Sequence, residues 1–433
     1  MVSAAACGLV ATPAFAQGAP RLDRGDTAWM LVACVLVLMM TLPGIALFYG
    51  GMVRAKNLLS VMMQCFACMV LATLVWVVCG YSLAFSTLGM HAGITGWHSF
   101  VGGWDRALLA GLTPASLHGS VPDSVFVLFQ LGFAAITPAL IVGAWVGRMK
   151  FSAMLWFTAS WLLLAYVPLA HMVWGGPGAL LADSGVIDFA GGTVVHINAG
   201  VAGLVACLVI GKRHGWPRTH MPPHNLGYTV IGASLLWLGW FGFNAGSAIA
   251  ADGSAGMAML TTQIAAAAAA FGWTTAEWLT HRRASVLGTA SGVVAGLVAV
   301  TPAAGTCGPG GALVIGLVTG ATCFFTATRL KYRLGYDDTL DVFGVHAIAG
   351  ILGALLTGPF AARALGGFGN VDSAWWQLWV QAKGVAFTIA WSALASWLIL
   401  QAIDRTLGLR VDAEQEQEGL DLAQHEEQAY NLS

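Results

Sequence analysis

The chain has 433 residues, of which 58% are hydrophobic and only 9% charged. A water-soluble domain carries about 25% charged residues, so most of this surface must face lipid rather than water. The net charge of −1 offers no electrostatic footprint for nucleic acid.

In chain order, an Ala-rich start reaches Ala14-Phe15-Ala16 before Gln17. That resembles a secretory cleavage site, although the basic leader is missing. Residues 1–17 are therefore read as a truncated or mis-started signal peptide, which would leave the mature N-terminus outside the cytoplasm. Eleven apolar runs of about 20 residues follow, near 27–50, 58–86, 124–147, 152–174, 187–210, 226–249, 256–279, 285–304, 310–330, 341–358 and 375–404. The stretch 87–123 holds Gly, His, Trp and Pro with few charges and reads as an external loop with room for an interfacial helix. The abundant glycine, 55 residues, suits close helix packing in lipid. Cys34, Cys65, Cys68, Cys79, Cys207 and Cys323 sit inside apolar runs, as small hydrophobes rather than a disulfide or metal framework.

Charge tests the count. With the N-terminus outside, alternate turns carry Arg54 and Lys56; Arg148 and Lys150; Lys212, Arg213 and Arg218; Arg282 and Arg283; and Arg329, Lys331 and Arg333, with Arg405 and Arg410 after the last run. The other side keeps Arg21, Arg24, Arg106 and Arg363. The positive-inside rule then puts the N-terminus out, the C-terminus in, and an odd number of spans between.

A short echo links two runs: Val195-His196-x-x-Ala199-Gly200 and Val345-His346-x-x-Ala349-Gly350. Five spans separate the copies, the pattern of an inverted repeat with a substrate path at its midplane. The fold expected is an all-α membrane protein of eleven transmembrane helices, two inverted five-helix repeats plus one extra helix.

Ionisable groups inside spans are costly and usually functional. Here they are His196, His346, Asp188, Asp341, Glu277, Lys383 and His171. Two neutral imidazoles bring donors and acceptors into a dry site and can share a proton as a hydrogen-bonded rail; two unrelated buried histidines are the plain alternative. Without a CxxCH motif the pair is a poor haem site. Asp188 and Asp341 each precede a histidine run and read first as helix N-caps. Among the 18 Trp, 20 Phe and 7 Tyr, Trp174 and Phe133 could form a cation site, but composition cannot select them.

The motifs are more specific. Pro43-Gly-Ile-Ala-Leu-Phe-Tyr-Gly-Gly51, Ala170-His-Met-Val-Trp-Gly-Gly176, Asp188-Phe-Ala-Gly-Gly-Thr-Val-Val-His-Ile-Asn198, Gly239-Trp-Phe-Gly-Phe-Asn-Ala-Gly-Ser247 and Asp341-Val-Phe-Gly-Val-His346 resemble the Amt/Mep/Rh ammonium transporter family, most nearly its bacterial Amt branch. The resemblance covers nearly the whole chain beyond the signal-like start. It implies a multi-pass protein of the bacterial inner membrane, a homotrimer with one pore per subunit, and a transporter rather than an enzyme, with no cofactor. It implies an outer ammonium site of Trp174, Ser247, Phe133 and Asp188, a gate of Phe133 and Phe243, and a pore lined by His196 and His346, with Phe129, Phe48 and Thr301 along the path. It divides the chain into a transmembrane domain at 18–404 and a cytoplasmic regulatory tail at 405–433, where a PII-type signal protein would dock. A neutral Rh-type ammonia channel and an ammonium sensor are the alternatives. Lys383 and the loop 87–123 match no motif.

Overall fold

The computed structural model describes residues 21–430, so the signal-like stretch lies outside the described residues. Among the described residues ten helices are long and apolar enough to cross a bilayer: α1 (Arg24–Met52), α2 (Ala55–Phe85), α3 (Asp123–Trp145), α4 (Phe151–Trp174), α5 (Gly192–Ile210), α6 (Leu226–Gly246), α7 (Gly253–His281), α9 (Pro309–Leu334), α10 (Phe343–Phe360) and α11 (Ala374–Thr406). Between α7 and α9 lies α8 (Val286–Val300), apolar but only 15 residues long. At 1.5 Å per residue it spans about 22 Å, short of the roughly 30 Å of bilayer hydrocarbon. Beyond Val300 the run 285–304 continues as turns through Pro302, and so it falls short of the full-length helix expected.

The helices are sorted by burial. In α3 nearly every side chain from Val125 to Trp145 is buried, as expected of a helix that is hydrophobic all round. The peripheral helices bury one face and expose another: Val35 on α1, Phe66 and Leu74 on α2, and Trp375, Trp376 and Trp379 on α11. Such exposure is costly in water and ordinary in lipid. Lys383 is exposed on α11 with its Nζ 5.8 Å from the Trp376 ring centroid, a cation–π contact near the helix start. The seven described cysteines are buried and free.

Helices α5 and α10 cross at the echo. A Cβ on Gly200 would lie 2.3 Å from the backbone nitrogen of Ala347, and one on Gly350 would lie 3.0 Å from Ile197. The two glycines of the repeated motif are thus where the histidine helices touch, a close approach that a larger residue at Gly200 would block. Each helix opens with a wide π-turn that contains its histidine, Gly192–Ile197 and Phe343–Ala347. Such turns mark helices whose side chains are displaced from regular register.

The predicted basic turns gather at one end. There Arg148, fully buried, donates to the carbonyls of Gly211 (3.0 Å) and Asp337 (2.6 Å) and to the Thr339 hydroxyl (2.6 Å). Burial pushes its guanidinium down to about 10. Arg213 pairs with Asp337 at 2.6 Å. The tail crosses the same end as two short helices, α12 (Ala413–Glu418) and α13 (Leu420–His425). Asp421 accepts from the Ser60 N–H at the start of α2 (2.8 Å), and Gln424 from the Phe151 N–H at the start of α4 (2.5 Å). The tail therefore caps two long helices whose first N–H groups lack partners of their own.

At the opposite end the stretch 87–122 holds single 3₁₀ turns at Trp97–Ser99 and Ala107–Leu109 and a hairpin of β1 (Leu117–His118) and β2 (Val121–Pro122). Among the described residues it has no α-helix, so the interfacial helix does not form: Gly and Pro break it into turns. His171 of α4 anchors this loop, with Nδ1 2.9 Å from the Ala84 carbonyl and Nε2 2.9 Å from that of His98.

Candidate functional site

A cavity of about 350 Å³ opens at the loop end, lined by Trp174, Ser247, Phe133, Gln130, Phe126 and His118 among others. The Trp174 indole N–H donates to the Asp188 carbonyl at 2.9 Å, which fixes its ring. The Ser247 hydroxyl donates to the Phe243 carbonyl at 2.9 Å, leaving its oxygen free to accept. Phe133 meets Trp174 edge-on, centroids 5.7 Å apart.

Below the cavity the rings continue without a break. Phe133 and Phe243 lie 4.3 Å apart, both almost fully buried. Phe243 is 5.9 Å from His196, and His196 is 5.5 Å from His346 with the planes only 14° apart. Trp240 stacks on His196 at 5.4 Å. No hydrogen bond joins the imidazoles: both ring nitrogens of His196 and Nδ1 of His346 have no partner among the described residues. The hydrogen-bonded rail expected from sequence is thus two near-parallel rings with open nitrogens. Buried polar atoms are nearly always paired, so three open ones in a row need an explanation.

His346 lines a second cavity of about 300 Å³ at the tail end, with Phe48, Tyr49, Glu277, Lys331 and Asp341. Next to it a basin of about 460 Å³ is rimmed by Arg54, Arg213 and Arg218.

The other expected residues stand apart from this line. Thr301 accepts the Trp240 indole N–H at 2.9 Å, so it steadies a ring from behind. Phe129 packs edge-on against Phe133 at 5.0 Å, fully buried. The Asp188 carboxylate is turned into the start of α5. It accepts from the backbone N–H groups of Gly191 (2.9 Å), Gly192 (2.6 Å), Thr193 (2.8 Å) and Val194 (3.2 Å), and from the Thr193 hydroxyl. It is an N-cap, and it meets the cavity through Trp174.

Asp341 is not the matching cap. Its backbone is left-handed, with φ of 59°, and its carboxylate pairs with Lys331 Nζ at 2.5 Å. Asp338, standing as far ahead of His346 as Asp188 stands ahead of His196, accepts the Phe343 N–H at 2.8 Å instead. A dipeptide Asp337-Asp338 was legible as the better echo from that spacing alone. Glu277, expected as an intramembrane charge, accepts from the Ser285 hydroxyl (2.7 Å) and N–H (3.1 Å) at the start of α8. Gln130 and His118 were not singled out from sequence; Gln130 could have been, as a lone amide on an otherwise apolar helix.

The model of the Ammonium Transporter Family matches residues 28–430. The chain is a member of that family. It is 45% identical over 418 residues to an ammonium transporter of Aquifex aeolicus, covering 95% of each chain. Its fold matches the crystal structure of Candida albicans Mep2 with a TM-score of 0.83 at 34% identity, over 91% of this chain and 88% of that one. A structure described as a sensor Amt protein matches with a TM-score of 0.84 at 27% identity, over 92% of this chain and 98% of that one. The ammonium transporter family member is thus a predominantly helical, multi-pass membrane protein of the same architecture as these neighbours.

Proposed function

We propose that the chain carries ammonium across the bacterial inner membrane as ammonia plus a separately transferred proton. The observation that carries this reading is the unbroken line of rings from Trp174 to His346, with unpartnered imidazole nitrogens at its centre.

The physics requires the charge to be handled separately. A bare cation in a low-dielectric medium faces an idealised cost of tens of kcal/mol. Ring faces return about 2 kcal/mol. Ammonium is therefore held at the cavity of Trp174, Ser247 and Phe133, gives up its proton near Trp174 and Asp188, and passes Phe133 and Phe243 as ammonia. The open nitrogens of His196 and His346 take the proton onward, and the two recombine in the cavity beyond His346. Net charge then moves, unlike in a neutral Rh-type channel.

In this reading eleven helices cross the membrane, with α8 as the short eighth, and they form two inverted repeats of five plus α11. The loop end with Arg106 faces out, and the end with Arg54, Arg148, Arg213 and Arg410 faces in. The functional unit is a homotrimer. Residues 405–433 form a regulatory tail beside the basic basin, where a PII-type protein docks. A sensor reading draws on one structural neighbour at 27% identity; the transporter relative at 45% favours throughput.

The test is the His196→Ala, His346→Ala double variant in proteoliposomes on solid-supported membranes. Ammonium-induced current should vanish or lose its selectivity over potassium. Unchanged current and selectivity would refute the mechanism.

A further inference from the structure

The tail-end basin carries positive charge that its own acids do not balance. Asp341, on its wall, pairs with Lys331, and Asp337 pairs with Arg213. Glu416 of the tail acts on Arg54 from nearby, but its carboxylate is held by Arg410 at 2.7 Å and by the His214 N–H at 2.7 Å. Arg54 and Arg218, both on the rim, belong to no ion pair among the described residues. Arg218 is exposed, whereas Arg54 is half-buried in the turn between α1 and α2. Burial, and then the neighbouring Arg213, push its guanidinium below the ordinary value. A partly desolvated cation beside a like charge is costly, and an anion placed against it relieves both costs.

We propose that this basin binds inorganic phosphate. The proposal goes beyond the transport reading and does not depend on it. A guanidinium is a planar fork that meets phosphate oxygens two at a time. Near neutral pH phosphate carries more than one negative charge, which suits two uncommitted arginines better than a single carboxylate does. Asp341 then tells phosphate from other dianions. Its Oδ1 is held by Lys331, and its side chain is 31% exposed, which leaves Oδ2 to accept. Near neutral pH inorganic phosphate keeps at least one P–OH, and that hydroxyl donates to the carboxylate in a charge-assisted bond. Sulfate has the charge but no proton to give, so the same carboxylate repels it. A phosphodiester lipid headgroup has neither the second charge nor the P–OH. The source is therefore phosphate free in the aqueous phase rather than a lipid surface. At about 460 Å³ the basin has room for the ion and for waters that bridge it to more distant groups. It shares Lys331 and Asp341 with the cavity beyond His346, so the anion stands beside the end of the ring line.

The experiment titrates radiolabelled inorganic phosphate onto the purified full chain in uncharged detergent, with size-exclusion profiles of all variants matched first. Wild type should bind phosphate saturably, one per chain. Arg54→Gln should raise the dissociation constant about tenfold, or about 1.4 kcal/mol, and Arg218→Gln should raise it by a smaller factor. Unlabelled sulfate should displace the label at least about tenfold less well than unlabelled phosphate, and vesicles of phosphatidylglycerol should do no better than vesicles of phosphatidylcholine. Absence of saturable binding overturns the proposal. So does an unchanged dissociation constant in both arginine variants, which would put the phosphate elsewhere on the chain. Sulfate equal to phosphate would remove Asp341 from the site and leave only a general attraction for anions, against the proposal. Displacement by phosphatidylglycerol alone would make the ligand a lipid headgroup, again against it. Should Arg54→Gln not fold, Arg218→Gln decides, because its side chain is exposed. The readout is binding, so a failure of ammonium-induced current would strike the transport reading and leave this one untouched.

Discussion

Asp188 and Asp338 occupy the same place in the two halves of the molecule, each heading a helix that begins with a π-turn and carries a buried histidine. Their surroundings differ. Asp188 accepts four backbone N–H groups and a hydroxyl. Asp338 is fully buried and accepts the Phe343 N–H with one oxygen, while its Oδ1 has no partner among the described residues. Burial, and then the neighbouring Asp341, push its carboxyl up to about 6. One motif has thus produced a saturated anion at the loop end and an under-solvated acid at the tail end. The lesson is that a repeated spacing copies the position of a charge but not its environment, because hydrogen-bond donors come from the local turn. The Gly191-Gly192 turn folds its N–H groups around Asp188, with Gly191 at φ of 113°. Asp338 has no such glycine turn ahead of Phe343.

The comparison can be broken most directly at Asp188. Replacing it with alanine orphans four N–H groups at a buried helix start, each costing about 1–3 kcal/mol. Asp188→Ala should lower the melting temperature in detergent severely or abolish folded yield, whereas Asp338→Ala should cost far less. Equal losses at the two sites would mean that the hydrogen bonds around Asp188 do not carry its half.

A second, smaller effect is pH-dependent. The folded value of Asp338 lies above the ordinary 3.8, so the folded chain holds its proton more tightly than the unfolded one. That stabilisation is complete below about 3.8 and lost as pH rises through about 6. Asp338→Asn should match wild type at about pH 3 and melt a few degrees higher at pH 8. A variant less stable than wild type at pH 8 would show that the charged form is better solvated than its contacts indicate.

The smallest effect on the core belongs to the tail, which clothes only the tail end. A chain ending at Asp412 loses the Asp421 and Gln424 caps, each about 1 kcal/mol, so its melting temperature should shift little. Its retention of a PII-type protein in a pull-down should nonetheless fall sharply. Equal retention would remove the tail from the regulatory reading.

Much of the fold was legible because lipid leaves few options: a backbone without water must satisfy itself within helices, so apolar run length and loop charge read almost directly. Val286–Val300 came out shorter than its run because Pro302 and the turns around it end the helix early. Legibility in the site followed the type of evidence. Trp174, Phe133, Phe243, Ser247 and the two histidines were marked by motif, and all lie on or beside one line. Asp341 misled because it stands nearest the second motif, while the true cap sits at the spacing of the first. Phe129 packs edge-on against Phe133 and Thr301 accepts from the Trp240 indole, contacts that no motif records.

The amino-acid sequence by itself determined that this chain lives in a membrane, which turns gather at one end and which two helices carry histidine. Hydropathy, charge and spacing are additive along a chain and need no third dimension. Only the tertiary structure decided which polar atoms of the described residues were left without partners, among them both His196 nitrogens, His346 Nδ1, Asp338 Oδ1 and Gln130 Oε1. Satisfaction of a donor or acceptor depends on groups brought together from distant helices, and no local pattern records who arrives.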